Sequence, residues 1–172
     1  REYAVRKAAA WLCRDIRNRF LEDMREELLR NADGILRELT SGAYGKLTPG
    51  DDLKKPDFSL TLADGSTQDS TDVLSRGTRE QVFLAVRLGR IMEIRPALPV
   101  IIDDTLVNFD PPHLERAVSV LSRLSRTHQI FLLTCHPHLI SLFMKTKEEC
   151  QYWRLDNGRF SETDGASLME YL

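Results

Sequence analysis

The sequence predicts an α/β fold: a mainly parallel sheet covered by helices, with one long helix leading into it. Three observations carry that expectation. Residues 100–102 (Val-Ile-Ile) and Ile130–Leu133 are short, continuous apolar runs that lack the polar alternation of a half-wet strand. Between them Leu114, Ala117, Val118, Leu121 and Leu124 share one helical stripe, so strand, helix, strand reads as a crossover between parallel strands with both faces covered. Ahead of both, residues 1–39 hold no proline and a single glycine, Gly34, while Val5, Ala9, Leu12, Ile16, Phe20, Met24 and Leu28 recur at spacings of three and four.

That first pattern is a long amphipathic helix whose heptad register blurs beyond Ile16, as expected for the base of a coiled coil that becomes a packed domain helix. The chain thus divides into residues 1–40, the helix, and 41–172, a single lobe. Arg6, Lys7, Arg14, Arg17 and Arg19 make the start of the helix basic, which fits a solvated face better than a phosphate-binding stripe. Ser41, Gly42, Gly45, Pro49 and Gly50 break the pattern, and a charged loop, residues 51–56, follows. Phe58, Leu60 and Leu62 then alternate with Ser59, Thr61 and Ala63, a half-buried strand ending in the Asp64-Gly65 turn signal. Beyond a polar stretch, Val82, Phe83, Val86, Leu88, Ile91 and Met92 mark a helix stopped by Pro96. After the strand–helix–strand unit a short helix starts at Pro137, and Asn157-Gly158 folds residues 152–155 back onto 159–161.

The chain has 172 residues, 42% of them hydrophobic, enough for one sizeable core. No run approaches the ~20 apolar residues that span a bilayer, and nothing reads as a signal peptide, so a cytoplasmic protein with no membrane partner is expected. Cys13, Cys135 and Cys150 are odd in number and scattered, which argues for buried free thiols in a reducing compartment. A net charge of −2 makes no global case for nucleic acid. Trp11, Trp153, Tyr3 and the methionines are assigned to packing surfaces. The chain opens on Arg1 inside an established helical pattern, with no methionine before Met24, and is expected to continue a longer polypeptide.

Chemistry concentrates where the apolar runs end. Asp103 and Asp104 close LPVIIDD, and adjacent carboxylates at the rim of a core repel unless a cation or proton lies between them. Thr134, Cys135 and His136 close the other run. In an open parallel sheet, ligands sit beyond the carboxyl ends of the strands, so these side chains can converge on one ligand. One carboxylate would help hold hydrated Mg²⁺, the other would orient or deprotonate a water, and the imidazole would reach a phosphate oxygen. Ser75 and Gly77, just before a helix, make an anion site from backbone N–H groups and a hydroxyl. Taken singly, each residue also fits a solvated turn or a helix cap.

Together the motifs resemble those of ABC-type ATPases. LSRGTREQ (residues 74–81) resembles their signature, LPVIIDD their Walker B strand, VNFD (residues 107–110) their D-loop, and His136 their switch histidine. The four fall in family order, and the form of the signature and the long lead-in helix look most like the SMC-like branch, near SbcC and nearer to YhaN-type proteins. The resemblance implies the C-terminal lobe of an ATP-hydrolysing head. Asp103 would act on Mg²⁺ through water, Asp104 would take the catalytic carboxylate position, and His136 would contact the γ-phosphate of the head's own ATP. Ser75, Arg76, Gly77 and Thr78 would serve ATP held by a second head in a homodimer, with Asp110 mediating contacts across the interface; Asp110-Pro111 is equally a helix start. Implied partners are an N-terminal lobe carrying the phosphate loop, and, by analogy with relatives, DNA and a nuclease subunit acting in repair or maintenance.

Two positions depart from the family. Asp104 stands where glutamate is usual, and Arg76 replaces a usual glycine. No G-x-x-x-x-G-K-[ST] motif occurs in the 172 residues, so alone the chain is expected to bind ATP poorly and be inactive. The rival readings are a non-hydrolysing dimerisation module and a transporter nucleotide-binding domain. A metal site from Cys135, His136 and His138 is set aside because that spacing fits no usual zinc pattern.

Overall fold

The computed structural model describes residues 2–49 and 57–172; within the first helix, many side chains before residue 26 lie outside the described set. Outside it fall Tyr3, Cys13, the basic residues Arg6, Arg14, Arg17 and Arg19, and the charged loop 51–56.

Helix α1 (Glu2–Leu39) has 38 residues, roughly 57 Å at the usual rise. Its C-terminal part buries Ala32, Ile35, Leu36 and Leu39. The partner is α2 (Arg76–Glu93), and the two backbones meet at Gly89, where a Cβ would lie 2.9 Å from the Ala32 nitrogen and 3.1 Å from the Leu28 oxygen. Only glycine admits that approach. Earlier in α1, by contrast, Trp11, Leu12 and Ile16 are exposed, an apolar face with nothing against it among the described residues.

Three strands follow as an antiparallel sheet: β1 (Tyr44–Pro49), β2 (Phe58–Leu62) and β3 (Thr67–Gln68) in that order. Leu47 and Leu60, both fully buried, face each other across β1 and β2. The alternation in β2 and its turn, with Gly65 at φ +83°, agree with the sequence. Strand β1 was not anticipated, because Gly45 and Pro49 read as breakers. Gly45 falls at an irregularity in the register, and Pro49 ends an edge strand, where a missing N–H costs no ladder bond. Asp33 of α1 anchors the strand by accepting the Leu47 N–H at 2.7 Å; burial nevertheless raises its pKa.

The parallel unit is β4 (Val100–Asp103), α3 (Pro111–Leu124) and β5 (Ile130–Leu133), with Val100 opposite Ile130 and Asp103 opposite Leu133. Arg123 of α3 forms a two-pronged bridge to Glu38 of α1 at 2.9 and 2.6 Å. Helix α4 (Pro137–Met144) leads to the hairpin β6 (Tyr152–Asp156) and β7 (Arg159–Thr163) and then α5 (Gly165–Tyr171), where Arg154 lies 3.4 Å from the centre of the Tyr171 ring.

The expected mainly parallel sheet is therefore corrected. Among the described residues only β4 and β5 are parallel, and the other pairings are antiparallel because each is a local hairpin, whereas parallel pairing needs the α3 crossover. Double coverage is corrected as well. Val100 and Ile102 are buried on one face of the parallel pair, while on the other Ile101 is 71% exposed, Phe131 47% and Leu133 41%. Within this chain Trp11 is 62% and Trp153 48% exposed, and Met92 and Met144 are exposed, so none of these four packs into the core. Cys135 is exposed and Cys150 half-buried, so neither is the fully buried thiol expected. Among the described residues no helix is long and apolar enough to cross a membrane.

Candidate functional site

Two clusters hold the sequence-derived site residues. The first lies at the ends of β4 and β5. Parallel pairing sets Asp103 beside Leu133, and the Asp104 N–H continues the ladder to the Leu133 oxygen at 3.0 Å. The chain then turns, with Asp104 at φ +48°, a left-handed conformation that aspartate tolerates better than most side chains. Across the gap the Thr134 hydroxyl accepts the His136 N–H at 3.1 Å and donates to Asp104 Oδ1 over a long 3.5 Å. His136 Nε2 stands 3.4 Å from the same oxygen, and its ring is 5.4 Å from that of His138. Asp104 and His136, thirty-two positions apart in sequence, thus form one polar corner with Thr134 and Cys135, in which Asp104 and Cys135 are exposed and Thr134 and His136 half-buried. Asp103 is exposed next to it, and Thr105 donates to its backbone oxygen.

The second cluster is the start of α2. Ser75 is the N-cap: its Oγ accepts the Thr78 N–H at 3.1 Å and shares a hydrogen bond with the Thr78 hydroxyl at 2.8 Å. Gly77 packs on the segment after β4, since a Cβ there would come within 3.1 Å of the Asn108 oxygen. Asn108 donates to both oxygens of Glu80 at 2.8 and 2.9 Å, and Arg76 pairs with Glu80 at 3.2 Å. Glu80 and Asn108 lie inside the two sequence motifs but drew no attention there, because their meeting depends on tertiary packing. Asp110 caps α3 by accepting the His113 N–H at 3.0 Å and also contacts the His113 ring. That contact, followed by the backbone bond, lowers the Asp110 pKa.

A third polar knot was missed from sequence altogether. Asp57 accepts from Ser70 Oγ at 2.5 Å, Thr71 Oγ1 at 2.6 Å, the Thr71 N–H at 2.9 Å and the Phe58 N–H at 2.8 Å, and these bonds hold its pKa far below the usual carboxylate range. It ties the start of β2 to the single helical turn Thr71–Val73, which runs directly into Leu74 and Ser75.

No protein-family profile matches the chain. Among curated proteins it is 34% identical over 121 residues to the uncharacterized protein YhaN of Bacillus subtilis (strain 168), across 67% of this chain and 12% of that protein. The chain therefore spans about an eighth of the length of that relative. Among solved structures it superposes on a chain from work on ATP-driven dimerization and DNA-stimulated activation of SMC ATPases, with a TM-score of 0.67 and 16% identity, over 90% of this chain and 93% of that one. The Smc head domain with coiled coil and joint derived from Pyrococcus yayanosii gives a TM-score of 0.68 at 16% identity, over 92% of this chain and 30% of that one. The chain has an SMC-head-like fold, and in sequence it is similar to YhaN.

Proposed function

We propose that this chain is the C-terminal lobe of the ATPase head of an SMC-like protein, completed by an N-terminal lobe that carries the phosphate loop. Residues 41–172 are the lobe, and residues 1–40 begin the coiled-coil arm. The observation that carries the reading is the corner where Asp104 and His136 stand 3.4 Å apart at the ends of parallel strands, the place where α/β sheets bind ligands. The bare apolar face of Ile101, Phe131 and Leu133 supports a covering lobe, and the exposed Trp11, Leu12 and Ile16 support a second coil strand.

The residues present fit ATP and Mg²⁺. Exposed carboxylates at the end of β4 suit a hard cation bound through water, and the start of α2 offers N–H groups beside a glycine. Mg²⁺, when bound, supplies charge neutralisation on the phosphates. Asp103 would hold the cation through water, and Asp104 would accept a hydrogen bond from the attacking water and orient it. His136 donates from its ring to a phosphate oxygen. Ser75, Arg76, Gly77 and Thr78 face the nucleotide of a second, identical head. The Ser75 and Thr78 hydroxyls share one hydrogen bond, which leaves one hydroxyl proton of the pair free to donate outward even while the cap is intact. Asp110 contacts the partner across the interface. Hydrolysis then separates the heads and moves the arms, and action on DNA with a nuclease subunit is the further step that the SMC-like branch suggests.

A reading as a non-hydrolysing dimerisation module has one specific observation behind it, the short side chain of Asp104 on a left-handed backbone. Reconstitution with a phosphate-loop lobe separates the two. ATP-dependent pairing with phosphate release that Asp104→Ala abolishes supports the ATPase; pairing with no release supports the module, and failure of ATP to bind overturns both.

A further inference from the structure

We propose that Asp104, Cys135 and His136 form a binding site for a borderline-soft divalent cation, Zn²⁺ above all. One ligand atom from each residue lies within 4.8 Å of the other two. Two ligands on one tetrahedral ion at about 2.1 Å stand roughly 3.4 Å apart, and about 3.6 Å apart when one of them is a thiolate. The pair His136 Nε2 and Asp104 Oδ1 is already separated by 3.4 Å. Closing the rest takes about an ångström of side-chain rotation by Cys135, which is exposed and unconstrained by any disulfide.

The backbone prepares the arrangement. The Asp104 N–H bond to Leu133 holds the two strand ends together, and the Thr134 hydroxyl holds the His136 N–H, so the turn presents neighbouring residues 135 and 136 to the same corner. The donor set then selects the metal. Thiolate and imidazole favour Zn²⁺ or Co²⁺ and offer little to Mg²⁺, which takes oxygen and water. Three protein ligands leave a fourth position open to water or an oxyanion, as exposure of the corner allows. Binding converts the Cys135 thiol to thiolate and releases its proton to solvent.

Binding itself stands on this geometry alone. Its consequence rests on the ATPase reading: a cation in this corner takes Asp104 and His136 away from water and phosphate, so the site is an off switch that a chelator resets.

The test is Co²⁺ titration of the 172-residue chain, followed by displacement with Zn²⁺ and calorimetry for stoichiometry. One ion per chain is expected, with a thiolate-to-cobalt charge-transfer band that Cys135→Ser removes and Cys150→Ser and Cys13→Ser preserve. Asp104→Asn and His136→Ala each weaken Zn²⁺ binding by at least about tenfold, and thermal melts establish that every variant is folded. Absence of the charge-transfer band, or equal Zn²⁺ affinity in the Cys135→Ser chain, overturns the site. In the reconstituted head, Zn²⁺ inhibition that Cys135→Ser relieves supports the switch, and equal inhibition of both overturns it. A head that binds Zn²⁺ but never releases phosphate removes the ATPase reading and leaves the metal site standing.

Discussion

The start of α2 and the ends of β4 and β5 contribute to one proposed enzyme, and they are built to different standards. At α2, Ser75 closes on Thr78, Gly77 packs on the Asn108 carbonyl, and Asn108 and Arg76 converge on Glu80, all within hydrogen-bonding or close-packing distance. Asp57 secures the turn leading in. At the strand ends, the contacts between side chains are long, 3.4 Å to His136 and 3.5 Å to Thr134, and Asp104 and Cys135 are exposed. A group that must accept a proton or hold an ion keeps its lone pairs free, whereas a surface offered to a partner gains from being fixed beforehand. On the proposed function, that difference suits the strand ends to chemistry and α2 to docking.

The largest expected effect tests the open side. Asp104→Asn in a reconstituted head should lower phosphate release by about 10²–10⁴-fold, the usual contribution of a general base. The same change should leave the chain's stability within about 0.5 kcal/mol, because asparagine tolerates the left-handed backbone and no close bond is lost. A large drop in the denaturation midpoint would mean that the strand-end corner is structural after all.

The braced side should respond in the opposite way. Asp57→Ala removes the acceptor of several short bonds and should cost about 2–3 kcal/mol in urea unfolding, weakening ATP-dependent pairing by loosening the lead-in to Ser75. If unfolding is unchanged, the lead-in is not held by Asp57. Gly77→Ala is milder: its Cβ presses the Asn108 oxygen at 3.1 Å, so a loss of about 1 kcal/mol is expected together with poorer pairing. Unaltered pairing between Gly77→Ala heads would break the proposed division of labour.

The smallest effect is in pH. Asp57 and Asp110 both have pKa values lowered by the hydrogen bonds they accept, so each binds a proton more readily unfolded than folded. Their contribution to stability is complete above the ordinary aspartate range near ~4 and fades as pH falls below it toward the lowered folded values. Acid unfolding of Asp57→Asn should accordingly show a shallower slope in that window than the parent chain. Equal slopes would remove Asp57 from the acid response.

Much of the framework was legible because local rules governed it. The period-two pattern of Phe58, Leu60 and Leu62, the stripe from Leu114 to Leu124 and the turn pairs at residues 64–65 and 157–158 all became the expected elements. Strand β1 was illegible, since the anchoring Asp33 is fourteen residues from Leu47 and sits in another element. The exposure of Trp11 and Trp153 could not be read either, as an apolar residue carries no mark of which partner covers it.

The metal corner marks the same boundary. Along the chain, the spacing of Cys135, His136 and His138 fits no usual zinc pattern. Folding substitutes Asp104 for His138 by pairing β4 with β5, a contact that no sequence separation announces. Sequence alone determined the residue types at each strand end, the caps and the helix faces, because these follow from neighbours within a turn or two. Only the tertiary structure decided which strand ends meet, which apolar face stays bare and which carboxylate stands beside the imidazole, because those depend on chain segments that come together only when the core is formed.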